Sequence, residues 1–267
     1  MEVVCARKGT EGSNPSLSVM NCFKSEKNIF GGCVVEPSAL PESPDEFAAQ
    51  LKFSLEAWKA EGIKVVWLAV SISQAELIPL CTAAGFIFHH AEGDILQMTL
   101  ALIPDSFVPA YATHYIGAGG VVIDENRNLL VISERYKQQP GRRLKLPGGA
   151  MEDGEHIAAG VVREVREETG IEARFDYAVC LRHWHNYRYG KSDIYFVCRL
   201  TPLTSQIHMD TRELSECLWM PLDDFLNDPD IHGFNKTIVR AAAESNTGLR
   251  EKYITEYNTQ NYELLVL

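Results

Sequence analysis

Between Glu46 and Ala60 the segment EFAAQLKFSLEAWKA places Phe47, Leu51, Leu55 and Trp58 three or four positions apart, which predicts an amphipathic helix with one apolar stripe against a sheet. The preceding PSALPESPDEF is rich in proline, serine and acid and reads as a loop, with Ser43 or Asp45 as the helix cap, and Gly62 stops the helix. VVWLAV then has the unbroken apolar character of a buried strand. AELIPLCTAAGF predicts a short helix broken near Pro79 and ended at Gly85, and FIFHHAEGDILQMTLAL a hairpin turning at Glu92, Gly93 and Asp94. These elements make a small α+β unit.

IPDSFVPAYAT, with two prolines among small residues, reads as a linker, after which strands restart at IGAGGVVIDENRNLLVISER around a DENRN turn. RRLKLPGG predicts a short strand, and residues 156–169 a helix. RFDYAVCLRHWHNYRYGKSDIYFVCRLTP supplies two strands around Tyr189 to Ser192. CLWMPLDDF is a strand turning into a helix, and FNKTIVRAAAE a closing helix. The resulting division is a flexible leader at 1–27, a first α+β domain at 28–103, a linker at 104–112, a second domain at 113–245 and a tail at 246–267. The tail's apolar end suits either a tucked strand or an interface.

A length of 267 residues with 46% hydrophobic positions leans toward two cores. The formal net charge of -11 argues against a broad basic face for duplex nucleic acid, so an anionic substrate has to be met by local cations. Seven cysteines, an odd number with no C-x-x-C pair, predict a reduced, intracellular protein. The cytoplasm is the expected compartment, with mitochondrion and nucleus left open. Apolar runs such as IKVVWLAV fall short of the roughly 18 residues of a membrane helix, so no membrane partner is expected.

The chemistry concentrates in GGAMEDGEHIAAGVVREVREETGI, residues 148–171, which carries six carboxylates. Glu164, Glu167 and Glu168 share one helical face and repel one another at a cost of a few tenths of a kcal/mol per exposed pair. A solvated helix surface tolerates that, with Arg163 and Arg166 as partial neutralisers. A hard divalent cation turns the repulsion into attraction, because Mg²⁺ takes one or two carboxylates and keeps waters and phosphate oxygens as its other ligands.

Gly149, five residues, Glu155, seven residues, then Arg163-Glu164-Val165-Arg166-Glu167-Glu168-Thr169-Gly170-Ile171 matches the Nudix box at every defined position, and the chain resembles the Nudix hydrolases. The resemblance implies an α+β protein whose second domain is an α/β/α sandwich with a mixed sheet. It implies hydrolysis of nucleoside diphosphates linked to another moiety, with Mg²⁺ as cofactor and Mn²⁺ as a substitute. By the same resemblance Glu164, Glu167, Glu168 and the Gly148 carbonyl hold the metal, Arg163 orients a glutamate, Glu155 supports the loop, and Gly170 lets the chain leave the helix. A catalytic base on a later loop is implied at Glu213, with Glu216 as competitor.

Arg135, Lys137, Arg142, Arg143 and Lys145 precede the box, and Arg182, His183, His185, Arg188 and Lys191 follow it. Of these, Arg135, Arg143, Lys145, Arg182, His183, His185 and Lys191 are the expected substrate contacts. Trp184, Tyr187 and Tyr189 are interleaved and suit either base stacking or strand packing. Beyond the box, NIFGGCVVEP, YATHYIGAGGVV and ECLWMPL resemble the two-domain Nudix proteins with a pre-Nudix domain, a group that includes animal fibroblast-growth-factor antisense proteins and plant ADP-ribose/NADH pyrophosphatases. The plant side implies ADP-ribose or NADH, the animal side capped RNA, and the group as a whole a homodimer through the first domain. That domain resembles part of an acetyltransferase fold, yet SISQAEL after VVWLAV lacks a glycine-rich pyrophosphate loop, which argues against acetyl transfer. The alternatives are an oxidised-nucleotide hydrolase and a nucleotide-binding regulatory or interaction module.

Overall fold

The computed structural model describes residues 21–136, 143–255 and 260–267, and the chain divides into two units after Ala112. Lys137, Arg142, Cys5 and most of the expected leader lie outside the described residues. Residues 21–27 do not belong to a leader: Ser25–Lys27 is strand β1, and Phe23 is fully buried, stacked on Phe47. A three-residue SEK strand is too short and too polar to show an alternation.

The first unit continues with β2 (Cys33–Val35), helix α1 (Pro44–Ala60), β3 (Val65–Ser71), helix α2 (Ile78–Ala83), β4 (Ile87–Glu92) and β5 (Ile95–Ala101). Its sheet has the order β1-β2-β3-β5-β4, with β2 and β3 parallel across the α1 crossover. Phe47, Leu51 and Trp58 of α1 pack against Val66, Leu68, Val70 and Met98 of the sheet. Pro79 does not break a helix: a 3₁₀ segment at Ile72–Leu77 runs into α2, and Pro79 occupies its first turn, where a missing N–H costs nothing.

The second unit contains β6 (His114–Val122), β7 (Asn128–Glu134), β8 (Gly148–Ala150), α3 (Ile157–Thr169), β9 (Ala173–Trp184), β10 (Ser192–Pro202), β11 (Leu214–Pro221), α4 (Leu222–Asn227), α5 (Gly233–Glu244), β12 (Arg250–Glu251) and β13 (Leu265–Val266). The strand expected in RRLKLPGG is shifted to Gly148–Ala150, and among the described residues ahead of it in that segment only Lys145 makes a bridge, to Ile132. Four strands lie in the order β8-β6-β10-β9, a mixed sheet in which β6 and β10 run parallel, and β11 pairs antiparallel with β7.

Strand alternation divides the core. Val121, Leu129, Val131 and Val197 face α4 and α5, while Ala118, Val122, Leu130, Cys198 and Leu200 face α3. The result is an α/β/α sandwich. Val161 and Val165 of α3 are fully buried, worth roughly 3–6 kcal/mol together, and this fixes which side of the helix the glutamates present. Gly170, left-handed at φ 74°, closes the helix with its N–H on the Arg166 carbonyl.

Candidate active site

The glutamates of α3 lie beside β8. Gly148 has φ 145°, and its N–H donates to Glu168 Oε2 at 2.7 Å. A Cβ on Gly149 would stand 2.6 Å from Glu164 Oε2, so the Glu164 carboxylate packs on the bare backbone of the strand. Arg163 ties the remaining acids together. Its Nε and Nη2 form a fork on Glu155 at 2.7 and 2.8 Å, while Nη1 donates to Glu164 at 3.0 Å and to Glu167 at 2.9 Å. Nη2 also reaches the Ala150 carbonyl at 3.3 Å.

Environment separates Glu155, Glu164 and Glu168. The Arg163 hydrogen bond holds the Glu155 carboxyl below the usual range, whereas burial raises that of Glu164. Glu168 is only 8% exposed, and burial pushes it up to about 7, against the Gly148 hydrogen bond and the Lys145 charge, with Glu164 and Glu213 adding repulsion. Two carboxylates forced together in a poorly solvated place gain most from a cation.

Among the described residues no three His, Cys, Asp or Glu side chains already form a ligand set. The guanidinium of Arg163 stands between Glu164 and Glu167, and Glu167 is half exposed. The donors are nevertheless all hard oxygens, and the poorly solvated, electrostatically unfavourable pair of part-buried Glu164 and buried Glu168 suits a divalent cation in place of a proton.

Next to the glycine pair opens a pocket of about 330 Å³, lined by Lys145, Gly148, Gly149, Arg182, Tyr187 and Arg188, together with Tyr115, Asp193, Tyr195, Phe234 and Asn235. Arg182 is its central cation. It pairs with the buried Asp193 and lies about 5.1 Å from the rings of Trp184 and Tyr195 and 5.5 Å from Phe234. Burial raises the Tyr195 phenol well above its ordinary value, so it stays a neutral hydroxyl.

A family model described as the NUDIX domain matches residues 113–242, and one described as the Nudix hydrolase domain matches residues 23–102. Nudix hydrolase 2 of Arabidopsis thaliana is 37% identical over 213 residues, covering 79% of this chain and 76% of the relative. The chain belongs to the Nudix hydrolase family. Nudix hydrolase 8 of Arabidopsis thaliana is 39% identical over 220 residues, 81% of this chain, and this chain spans 58% of its length. Nucleoside diphosphate-linked moiety X motif 6 of Homo sapiens is 37% identical over 219 residues, 79% of this chain and 68% of the relative.

The Nudix fold brings only part of the expected cation set together. Lys145 and Arg182 line the pocket; Arg143 lines a neighbouring cleft with Tyr136, Lys145 and His232; Arg135 turns its Nη2 to the Leu214 carbonyl at 3.4 Å. His183 and His185 lie outside the lining: alternation along β9 puts Arg182 and Trp184 on one face and His183 on the other, and His185, one residue past the strand, packs its ring 4.2 Å from that of His183. There His183 Nε2 meets His114 Nε2 at 2.9 Å. Lys191 closes a backbone turn with Tyr187 and Arg188, also outside the lining.

Glu213 is exposed on the loop before β11, near enough for its charge to raise Glu168; Glu216 sits inside β11 opposite Ser133. Tyr115, Asp193, Tyr195, Phe234 and Asn235 were not anticipated. The Arg182–Asp193 pair joins adjacent antiparallel strands that the sequence did predict, so it was within reach of a register argument. Phe234 and Asn235 of α5 carry no local signal.

Among the described residues no helix is long and apolar enough to cross a membrane.

Proposed function

We propose that the second unit is a Mg²⁺-dependent pyrophosphohydrolase that cleaves a nucleoside diphosphate linked to another moiety, with ADP-ribose or NADH as the substrate class. The observation that carries this reading is the packing of the part-buried Glu164 and the buried Glu168 against the Gly148-Gly149 backbone at the edge of a pocket containing Arg182 and Lys145. Glu164, Glu168, the more exposed Glu167 and the Gly148 carbonyl would hold the metal. Bound there, Mg²⁺ supplies charge neutralisation of the diphosphate and acidification of the attacking water.

The protein's own groups do the rest. Arg163 holds Glu164 in orientation, and Glu155 holds Arg163. Lys145 and Arg182 offset substrate charge that an acidic chain would otherwise repel, and Tyr115 and Tyr187, 6.1 Å apart between centroids, offer faces for a base. Glu213 is the candidate proton acceptor. Incubation with ADP-ribose, NADH and capped RNA, with and without Mg²⁺, tests the proposal. Metal-dependent release of nucleoside monophosphate from ADP-ribose or NADH is expected, and an intact set of all three substrates with folded protein rules it out.

Arg163→Lys is expected to lower kcat by about tenfold to a hundredfold with a smaller change in KM, since one ammonium cannot reproduce a fork on Glu155 while also bridging Glu164 and Glu167. Steady-state kinetics beside a thermal melt check it. A kcat within twofold of wild type would mean that Arg163 does not set the glutamates.

A further inference from the structure

Helix α3 has no cap of its own. His156 at the N-cap makes no side-chain cap bond, no acid occupies the first turn, and the nearest carboxylate, Glu155, is engaged by Arg163. The first amides are satisfied all the same. Ile157 N donates to Glu263 Oε2 at 2.8 Å and Ala158 N to Glu263 Oε1 at 3.0 Å, from a carboxylate more than a hundred positions along the chain.

The tail is held in place to do this. Ala178 of β9 and Leu249 exchange two backbone hydrogen bonds at 2.8 and 2.9 Å. β12 then pairs antiparallel with β13, Lys252 N donates to the Leu264 carbonyl at 2.8 Å, and Leu249 and Leu265 pack on the cluster that contains Val161 and Val165. Glu263 therefore sits two residues before β13, a strand anchored to the core under α3.

We propose that Glu263 is a positioning residue for the Nudix box, which caps the catalytic helix from the C-terminal tail and keeps Glu155 free for Arg163. This rests on the pyrophosphohydrolase reading of the box. The free N–H groups at a helix start draw carboxylates through their partial positive charge, and Ala158 is buried enough that water is a poor substitute. Without Glu263, Glu155, which directly precedes the N-cap and lines the cleft beside Ala158, is placed to answer them. Its transfer would release the fork on Arg163 and, through Arg163, the orientation of Glu164 and Glu167.

The full chain is to be compared with Glu263→Ala, Glu263→Gln and, as a tail variant that lines the cleft beside the helix start without taking the Ile157 or Ala158 N–H, Glu251→Gln. The readouts are amide exchange, Mn²⁺ affinity, and kcat and KM for ADP-ribose. Glu263→Ala is expected to speed exchange at residues 157 and 158 about tenfold, weaken Mn²⁺ binding and lower kcat about tenfold, with KM within about twofold. Glu263→Gln, which keeps an oxygen acceptor without the charge, should fall between, and Glu251→Gln should match wild type. Unchanged exchange at 157 and 158, wild-type Mn²⁺ affinity, or faster exchange spread equally over β6 and β10 would overturn the proposal. If Glu263→Ala does not fold, Glu263→Gln decides by the same readouts. Should wild type bind Mn²⁺ and cleave no substrate, the functional reading fails, and exchange and Mn²⁺ affinity still judge Glu263.

Discussion

Glu168→Gln is expected to remove turnover almost completely while leaving the protein folded. Glutamine has nearly the same shape, and its side-chain oxygen can still accept the Gly148 N–H, so the contact between α3 and β8 survives. What disappears is the negative charge of the most buried carboxylate of the box. Loss of a group that merely supports a metal ligand typically costs tenfold to a hundredfold, so loss of a ligand charge should cost at least about a hundredfold in kcat.

The same substitution has a stability signature with a definite sign. Because the folded protein raises the Glu168 carboxyl to about 7 from 4.5, it binds a proton between those values that the unfolded chain does not. Stability contributed by the protonated group is therefore complete below about 4.5 and lost as pH rises through about 7. The penalty at pH 8 in metal-free buffer is on the order of 3 kcal/mol. Glu168→Gln should then melt at or above wild type at pH 8, with the difference shrinking toward pH 5. A wild-type kcat, or a lower melting temperature at pH 8, would remove Glu168 from this role.

The neighbouring glycines should fail in two different ways. In Gly148→Ala the new methyl group lies 2.3 Å from the Ala118 carbonyl oxygen and 2.6 Å from Gly119 Cα, on a residue whose φ of 145° disfavours any side chain. Backbone cannot yield as a side chain can, so β8 must detach from β6, at a cost of about 3 kcal/mol or more. In Gly149→Ala the clash is with the Glu164 carboxylate, 2.6–2.7 Å away, which is pinned by Arg163. The fold survives and the carboxylate moves. A displacement near 1 Å in such a site costs about a hundredfold in kcat. Thermal melts and kinetics on the two variants separate the outcomes. If Gly149→Ala keeps wild-type kcat, the Glu164 carboxylate does not need to lie against β8.

The box, α1, β3, the β4–β5 hairpin and strands β6, β7, β9, β10 and β11 were legible because each has its own periodicity or its own turn residues within a short window. Alternation was legible too, yet its consequence for His183 and His185 was not. The pattern tells which residues share a face of β9, and only the packing of β10, β6 and α5 tells which face borders the pocket. Pro79 misled because the same residue that ends one helix can open another. β1 was missed for want of length.

The amino-acid sequence alone determined the chemistry of α3: glutamates at helical spacing, an arginine among them, glycines before and after. Those are local facts, and covalent spacing is enough to produce them. The tertiary structure decided which charges matter. Burial separates Glu168 from Glu167, one residue apart, by placing the first against Gly148 and leaving the second half in solvent. It chose Arg182 and Lys145 from a scattered set of cations, and it brought Glu263 to the helix start from the far end of the chain. Desolvation and long-range hydrogen bonding depend on what surrounds an atom in space, and residues distant in sequence supply those surroundings.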